Sequence, residues 1–307
     1  MRRFAVAWNQ LLLLCEAYSF MVATADNMRK NAEKVYLHGG VFLMKRCIVA
    51  LSTGIILTVS QAFAAPPTAT LESLKEQVSA RYAGVKPAQW GENVTGVRTR
   101  LDTKEKVIAL TLDACGSARG KGVDARLMEF LIREQIPATL FVNGRWIDAN
   151  PELFRQLAAN PLFEIANHGM RHKPASASGR SIYGIGGTQN AGEVVEEIEL
   201  NARKIEAVSG VRPKLYRSGT AYYDEVAVKI SQGLGHEVAG YSLLGDAGAT
   251  WSAAQVKAAL LKAVPGDIAL LHMNHPEAGT GEGISAAVPE LQRRGFRFVR
   301  MSDYPLK

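Results

Sequence analysis

From about residue 106 to the C-terminus, short apolar runs alternate with longer segments in which apolar residues recur every three or four positions. Short runs of this kind are typical of buried strands, and the longer segments are typical of amphipathic helices. The clearest helix covers residues 193–208, where Val195, Ile198 and Ala202 share one face. The predicted strands are residues 107–113, 138–143, 163–167, 214–217, 237–243, 267–272 and 297–301, and the other predicted helices are 123–134, 151–159, 224–234, 253–263 and 284–294.

Seven strands that alternate with helices predict an α/β fold built on a parallel sheet, as one domain over residues 106–307. An open doubly wound sheet and a closed barrel both produce this alternation. Residues 65–105 form a lead-in segment before it, with an amphipathic helix predicted at 71–82 and an ordered loop or linker at 85–102.

Residues 44–64 have the order of a secretory signal peptide. Met44-Lys45-Arg46 is a positive start, an uncharged apolar run follows, and Ala62-Phe63-Ala64 is a small-x-small cleavage site. The run is shorter than the roughly 20 residues of a membrane span, although an uncleaved anchor is the alternative. Because a signal peptide starts a chain, we interpret residues 1–43 as a mistaken extension with Met44 as the true start. We expect an exported protein, periplasmic, cell-wall associated or secreted, with no stable membrane span after cleavage.

Cleavage after Ala64 changes the charge and the cysteine content. Residues 1–64 hold seven of the 36 Lys and Arg and three of the 29 Asp and Glu, so 29 remain against 26 and the net charge falls from +7 to +3. A small, unclustered charge does not predict nucleic-acid binding, which needs a basic face. Of the three cysteines only Cys115 remains, so no intramolecular disulfide is expected.

Unusual polar residues gather at the C-terminal ends of the predicted strands. These ends meet at one mouth of a parallel α/β fold, where binding and catalytic sites are built. Four of the five histidines beyond residue 64 lie there, and this convergence predicts an enzyme. The residues concerned are Asp113, Asn167, His168, His172, Arg217, Asp246, His272 and His275.

His168 and His172 form an H-x3-H pair directly after a predicted strand. This spacing lets two imidazoles face one ion, commonly zinc. Two solvated loop histidines are the alternative, but the position beside Asn167 favours a metal.

Four charged or titratable residues are candidates for catalysis. Asp113 is a general base or a metal ligand, with a helix N-cap as the plainer interpretation. Arg217 is suited to hold a carboxylate in a bidentate pair, unless it is a surface Arg at a strand end. Asp246 and His272 suit a carboxylate–imidazole pair, which makes the imidazole more basic; a satisfied core histidine is the alternative for His272.

Two further features have competing interpretations. Trp146 and Trp251 lie near strand ends and are either sugar-stacking walls or ordinary packing. Residues 184–188 are rich in glycine but lack the Gly-Lys-Ser/Thr ending of a phosphate loop, so we predict a flexible loop.

Together these residues resemble the polysaccharide deacetylases of carbohydrate esterase family four, the NodB-homology domain. The similarity covers residues 106–304 and five motifs in order. The motif residues are Thr111-Leu112-Asp113-Ala114, His168-Gly169-Met170-Arg171-His172, Arg217-Ser218-Gly219 with Tyr222, Gly245-Asp246 with Trp251, and Leu270-Leu271-His272.

The resemblance implies an incomplete (β/α)7 barrel and a hydrolase that removes N- or O-acetyl groups from a carbohydrate polymer. It also implies a divalent metal, zinc with cobalt or nickel as alternatives, held by His168 and His172. The expected partner is an acetylated glycan.

The resemblance further implies a role for each of the other motif residues. Asp113 is the expected general base and Arg217 holds it, while His272, tuned by Asp246, protonates the leaving group. A backbone N–H near Tyr222 helps to stabilise the oxyanion, and Trp251 lies at the substrate site.

Three positions depart from the family pattern. Ala114 stands where the family has its metal-binding aspartate, Gly169 stands where Ser or Thr is usual, and the third motif lacks its proline. A stable zinc site needs at least three protein ligands. The candidates for the third are Asp113, Asp246, His275, Asn167 and Cys115, and Cys115 is otherwise a free buried thiol.

The altered motif keeps two other functions open. One is a different C–N amide hydrolase on the same barrel, and the other is an inactive glycan-binding relative that has lost its metal. The acid–base residues argue against the second, because a binding protein does not need them.

Overall fold

The structure is a computed structural model that describes residues 69–307. The extension predicted at 1–43, the signal peptide predicted at 44–64 and the first residues of the lead-in lie outside the described residues. None of the helices within 69–307 is long and apolar enough to span a membrane.

A parallel sheet forms the centre of the fold. Its longest strand, β2, is buried at all eight positions, as expected for a strand covered on both faces. The strands are β1 (Val97–Arg98), β2 (Val107–Ala114), β3 (Ala138–Val142), β4 (Phe163–Asn167), β5 (Ser181–Ile182), β6 (Ile185–Gly186), β7 (Leu215–Tyr216), β8 (Glu237–Ala239), β9 (Leu243–Leu244), β10 (Asp267–His272) and β11 (Arg297–Val299). The order across the sheet is β1-β8-β7-β4-β3-β2-β10-β9, with β11 also paired to β2, and these ladders are parallel.

Helices cover the outside of this sheet and follow its strands in sequence. Six of the eight within residues 69–307 begin with a side-chain cap that accepts a hydrogen bond from a first-turn amide, namely Thr70, Asp124, Asn143, Asn190, Asp224 and Ser252. The helices are α1 (Leu71–Arg81), α2 (Ala125–Arg133), α3 (Gly144–Ala149), α4 (Pro151–Ala159), α5 (Ala191–Ser209), α6 (Glu225–Gly233), α7 (Ala253–Leu260) and α8 (Thr280–Arg293).

The two faces of the sheet pack against different residues. On one face, seven strands each contribute side chains to a single inner cluster, namely Val107, Ala109, Phe141, Ala166, Leu215, Ala239, Ile268 and Val299. On the other face, residues such as Leu110 and Leu112 pack against Leu131 of α2 and Val288 of α8. These seven strands enclose their own core and carry helices outside, which is the predicted incomplete (β/α)7 barrel, and the short strands β1 and β9 extend the same sheet to nine strands.

All seven predicted strands are present, and the differences lie at their ends. The prediction of one strand at 237–243 is wrong in its second half, because β8 ends at Ala239. The chain then crosses the sheet, and Leu243–Leu244 forms the separate strand β9, which pairs with β10. The helix predicted at 284–294 begins earlier, at Thr280, since glycines in its first turn disguise the helical pattern. The short helix α3 was not predicted.

The lead-in segment is part of the fold. The helix predicted at 71–82 is confirmed as α1, and its apolar side chains pack against the cluster formed by α5 and α6. The prediction of a loop or linker at 85–102 missed β1, which pairs with β8. Glu225 of α6 accepts hydrogen bonds from the amides of Ala88 and Gln89, which fixes this segment beside the barrel.

Candidate active site

A cavity of about 630 Å³ opens at the C-terminal ends of β2 and β10. Parallel barrels carry their sites at this end because the loops after the strands converge there. Among the residues that line it are Glu92, Asp113, Cys115, His172, Tyr183, Gly219, Thr220, Tyr241, His272 and His275.

Arg217 and Asp113 form a buried ion pair beneath the cavity. Nη1 of Arg217 donates to Oδ1 of Asp113 at 2.8 Å, and its Nη2 donates to the carbonyl of Gly240 at 2.9 Å. Both side chains are almost wholly buried, which excludes a surface arginine. The pair is not the bidentate one predicted, because backbone carbonyls take the other guanidinium donors. The second carboxylate oxygen of Asp113 is therefore free to face His168, 3.5 Å away.

His168 is buried, and its ring is held in one orientation. Its Nδ1 lies 3.0 Å from the carbonyl oxygen of Arg217, and since a carbonyl only accepts, Nδ1 carries a proton. In the neutral ring the lone pair is then on Nε2, which lies 3.8 Å from Sγ of Cys115. Burial lowers the pKa of His168, but Asp113 and Cys115 together raise it above its ordinary value. The surroundings of Nε2 therefore favour positive charge.

The ring of His172 lies beside that of His168, and its backbone is strained. Its φ is 62°, and its carbonyl lies against Gly219, where an added Cβ would overlap the His172 backbone. Its ring meets that of His168 edge to face, with centroids 4.9 Å apart. Nε2 of His172 is buried and has no protein hydrogen-bond partner. A buried imidazole nitrogen without a partner is costly unless a ligand satisfies it.

Ala114 and Cys115 differ in what they face. The methyl group of Ala114 is wholly buried and belongs to the outer hydrophobic core. Cys115 is only half-buried and lines the cavity. Burial raises the pKa of its thiol, but His172, His168 and His272 together bring it well below the ordinary value. One donor atom from each of Cys115, His168 and His172 lies within 4.8 Å of the others, and we call these three residues the Cys/His cluster.

A buried carboxylate organises the loop that carries the two histidines. Glu197 of α5 accepts hydrogen bonds from the amides of Arg171, at 2.8 and 3.0 Å, and of Lys173, at 3.1 Å. Gly169 has a φ of 72°, and any side chain there would collide with this carboxylate. The departure from the family's Ser or Thr at this position is thus explained, because Glu197 takes over support of the loop. The sequence did not identify Glu197, which resembles any acidic residue on a helix.

Asp246 holds His272, which lines the same cavity. Oδ1 of Asp246 lies 2.9 Å from Nδ1 of His272, and Oδ2 accepts from the His272 amide at 2.7 Å and from Oγ1 of Thr280 at 2.9 Å. Burial lowers the pKa of His272, but the Asp246 charge and hydrogen bond raise it well above the ordinary value. Burial likewise opposes ionisation of Asp246, yet His272 and Thr280 lower its pKa. We call these two residues the Asp/His pair, and it has the predicted geometry.

Other predicted site residues are placed less directly. Trp146 is fully buried in the core, so a sugar-stacking role for it is wrong. Trp251 packs against the same core and is not among the residues that line the cavity. Tyr222 also lies outside that lining, although its neighbour Ala221 belongs to it and its ring contacts Tyr183 with centroids 5.6 Å apart.

The aromatic residue that does reach the cavity was not predicted. The supposed flexible loop at 184–188 begins in a hairpin formed by β5 and β6. Its two turn residues, Tyr183 and Gly184, both have positive φ, as a tight hairpin turn requires. Tyr183 is 68% exposed and lines the cavity mouth. The only sequence signal was Tyr-Gly between two short runs, which is a weak hairpin signature.

The family model described as polysaccharide deacetylase matches residues 100–239. This stretch contains the first three motifs and the barrel strands that carry them. The resemblance to the polysaccharide deacetylase family that the motifs indicated is therefore confirmed over residues 100–239.

Named relatives cover most of the same region. The chain is 26% identical to the peptidoglycan-N-acetylglucosamine deacetylase of Bacillus cereus over 212 residues, which are 67% of this chain and 92% of that protein. It is 27% identical to a chitooligosaccharide deacetylase of a Bradyrhizobium species over 184 residues, 55% of this chain and 78% of that protein. The fold matches that of a CE4 family pseudoenzyme from Bacillus anthracis, with a TM-score of 0.58 and 19% identity over 69% of this chain and 70% of that one.

Proposed function

We propose that this chain is a metal-dependent deacetylase that hydrolyses the N-acetyl amide of a glycan containing N-acetylglucosamine. The observation that carries the proposal is that an arginine-held carboxylate, Asp113, and a carboxylate-held imidazole, His272, line one cavity together. Hydrolysis of an amide needs both a base for water and an acid for the leaving amine.

Asp113 is the proposed general base. Arg217 binds only Oδ1, so Oδ2 remains available to accept a proton from water. The Arg217 pair also fixes the carboxylate in one rotamer, which is the preorganisation that acid–base catalysis requires.

His272 is the proposed general acid. Its Nδ1 is engaged by Asp246, which leaves Nε2 as the atom that delivers a proton to the leaving nitrogen. Asp246 also stabilises the positive charge of the imidazolium, as a carboxylate partner does for catalytic histidines.

The donor set fits a divalent metal. Nε2 of His168 is left with its lone pair because Nδ1 faces a carbonyl, and Nε2 of His172 is a buried atom without a partner. Two imidazoles with a thiol close by suit zinc or cobalt. A metal bound there would supply a Lewis acid that activates water and polarises the acetyl carbonyl.

An N-acetylated glycan is favoured over an acetyl ester by the relatives. The two that we name above are described as acting on peptidoglycan N-acetylglucosamine and on chitooligosaccharide. The cavity mouth carries an exposed Tyr183, together with Tyr241, whose hydroxyl donates to Glu92 at 2.9 Å. Aromatic faces and fixed carboxylates are suited to sugar rings and their hydroxyls.

Export to the cell wall is part of the proposal. It rests on the signal-like segment at 44–64 and on the cell-wall substrate named for the Bacillus cereus relative. Sequencing the N-terminus of the secreted protein should give Ala65 as the first residue; a chain that keeps residues before Met44 would contradict this.

Two observations favour the alternative of an inactive glycan-binding protein. Ala114 removes the family's carboxylate ligand, and a fold neighbour is itself described as a pseudoenzyme. The two functions differ in whether any product forms.

The test is acetate release from chitin oligomers, peptidoglycan and acetylxylan, each with and without a chelator. We expect release from the two N-acetylated substrates and its loss when metal is removed. No release from any of the three by folded, zinc-supplemented protein would contradict the proposal and favour the binding function.

A further inference from the structure

We propose that Cys115 provides the third metal ligand, so that a thiolate replaces the carboxylate that Ala114 cannot supply. This inference rests on the proposed function only in that a metal binds at His168 and His172. It predicts a Cys–His–His site whose fourth position opens into the cavity.

The local backbone explains how the ligand position moves by one residue. Ala114 ends β2 with its methyl group in the outer core. The chain then turns at Gly116, whose φ is 66° and whose Cα lies against the backbone of Trp146 with no room for a side chain. This turn leaves Cys115 at the cavity wall, directly beside the two histidines.

The distances suit coordination without large movement. Sγ of Cys115 lies 3.8 Å from Nε2 of His168, and the three donor atoms fall within 4.8 Å of one another. Ligand atoms on a tetrahedral zinc are separated by about 3.4–3.6 Å, given bond lengths of about 2.0–2.3 Å. Small side-chain rotations that shift each donor atom by less than a bond length would therefore bring the three atoms to coordinating distance of one ion.

Most of the other candidates for the third ligand are already engaged. The Asn167 side chain donates to the carbonyl of Ile198 and accepts from the amide of Gly169. Asp246 is committed to His272 and Thr280, and Nδ1 of His275 pairs with Glu277 at the rim. Asp113 is the remaining rival, and as a ligand it would no longer serve as a free base.

A thiolate ligand changes which metal is preferred. Soft sulfur donors favour zinc and cobalt over hard ions such as magnesium or calcium. On binding, the thiol proton is released to solvent, so the sulfur enters the site as an anion in place of the missing carboxylate.

The ligand can be read directly from a cobalt-substituted protein. Cobalt(II) bound to a thiolate has a sulfur-to-metal charge-transfer absorption in the near ultraviolet, which cobalt bound only to nitrogen and oxygen lacks. We expect this band in the full chain at one cobalt per protein. In protein that retains residues 1–64, the Cys15→Ser/Cys47→Ser variant keeps Cys115, so it is the matched control and should retain the band.

Two substitutions separate the ligand from the rest of the site. Cys115→Ala should lose the band and weaken zinc binding by at least about 100-fold, since even outer-shell changes cost 10–100-fold. Cys115→Asp should lose the band but recover most of the affinity, because a carboxylate is restored near the histidines. Recovery by Asp also rules out simple misfolding as the cause of the loss in the Ala variant.

The outcomes distinguish this inference from the proposed function. Cobalt bound without the band, with unchanged affinity in Cys115→Ala and intact acetate release, would overturn the thiolate ligand and leave the deacetylase. The band without acetate release would support the ligand and contradict the deacetylase. Hydrolysis that survives metal removal but stops when Cys115 is alkylated would overturn the inference, because the thiol would then be a nucleophile.

Discussion

The two sides of the cavity have departed from the family pattern to different degrees. The Asp/His pair is complete: Asp246 and His272 have the expected partners, and Thr280 satisfies a remaining carboxylate lone pair. The Cys/His cluster has lost the family's carboxylate at Ala114, has a glycine at 169 and contains a buried, unpartnered Nε2 on His172. Change is thus concentrated where a metal would bind, while the Asp/His pair keeps the family pattern.

This difference indicates what each side depends on. The Asp/His pair satisfies its own hydrogen bonds and is stable without a ligand. The Cys/His cluster does not, because an unpaired buried nitrogen carries a desolvation cost that protein contacts leave unrelieved. A bound cation would relieve it, so the cluster is the side that should respond to metal.

The largest effect is expected for His168→Ala, which removes a ligand from the Cys/His cluster. Bound zinc should disappear and acetate release should fall at least about 1000-fold, beyond the 10–100-fold typical of outer-shell changes. Metal analysis and acetate assays on the same sample measure both. His275→Ala is the matched control, since His275 pairs with exposed Glu277 at the rim and should leave zinc content unchanged. Unchanged activity in His168→Ala would show that the metal site is wrongly assigned.

A smaller effect is expected for Asp246→Asn, which alters only the Asp/His pair. The amide keeps the shape but lacks the charge that supports the His272 imidazolium, so kcat should fall about 100–1000-fold, within the range for general acid–base groups. Zinc content should stay at the wild-type level. Loss of zinc together with kcat would mean that the two sides are not separable as described.

No effect on activity is expected from His236→Phe, because His236 belongs neither to the Cys/His cluster nor to the Asp/His pair. Neither ring nitrogen of His236 has a protein partner, and burial lowers its pKa to about 4. Because the pKa of His236 is lower in the folded protein than the 6.5 of the unfolded chain, the free energy of unfolding is highest above pH 6.5 and falls as the pH is lowered through 4. The full loss is roughly 3 kcal/mol. The Phe variant should lack this loss when unfolding by urea is compared at pH 7 and pH 4.5. An equal acid sensitivity in both proteins would assign the effect to other groups.

Much of the barrel, the Asp113–Arg217 ion pair and the Asp/His pair were predictable from sequence. Buried parallel strands are continuous apolar runs, so Val107–Ala114 and Asp267–His272 stand out, and the residues that end them project to one edge. Asp113, Arg217, Asp246 and His272 were found in this way, each at or just after a strand.

The supports of the Cys/His cluster were not predictable, because they depend on packing between distant segments. Glu197 lies more than twenty residues after the loop it organises, on a helix where acidic residues are common. Tyr183 reaches the cavity only through a two-residue hairpin turn. The orientation of Ala114 and Cys115, by contrast, follows the alternation of side chains along β2, in which Asp113 lines the cavity and Ala114 packs in the outer core.

The central claim is that hydrolysis depends on a metal held by the Cys/His cluster, and one titration tests it most directly. Protein stripped of metal is mixed with increasing zinc, and the rate of acetate release from an N-acetylglucosamine oligomer is followed. We predict a rate near zero without zinc that rises to a plateau at one zinc per chain. A rate that is already maximal in the stripped protein, or that stays at zero when zinc is bound, would contradict the account.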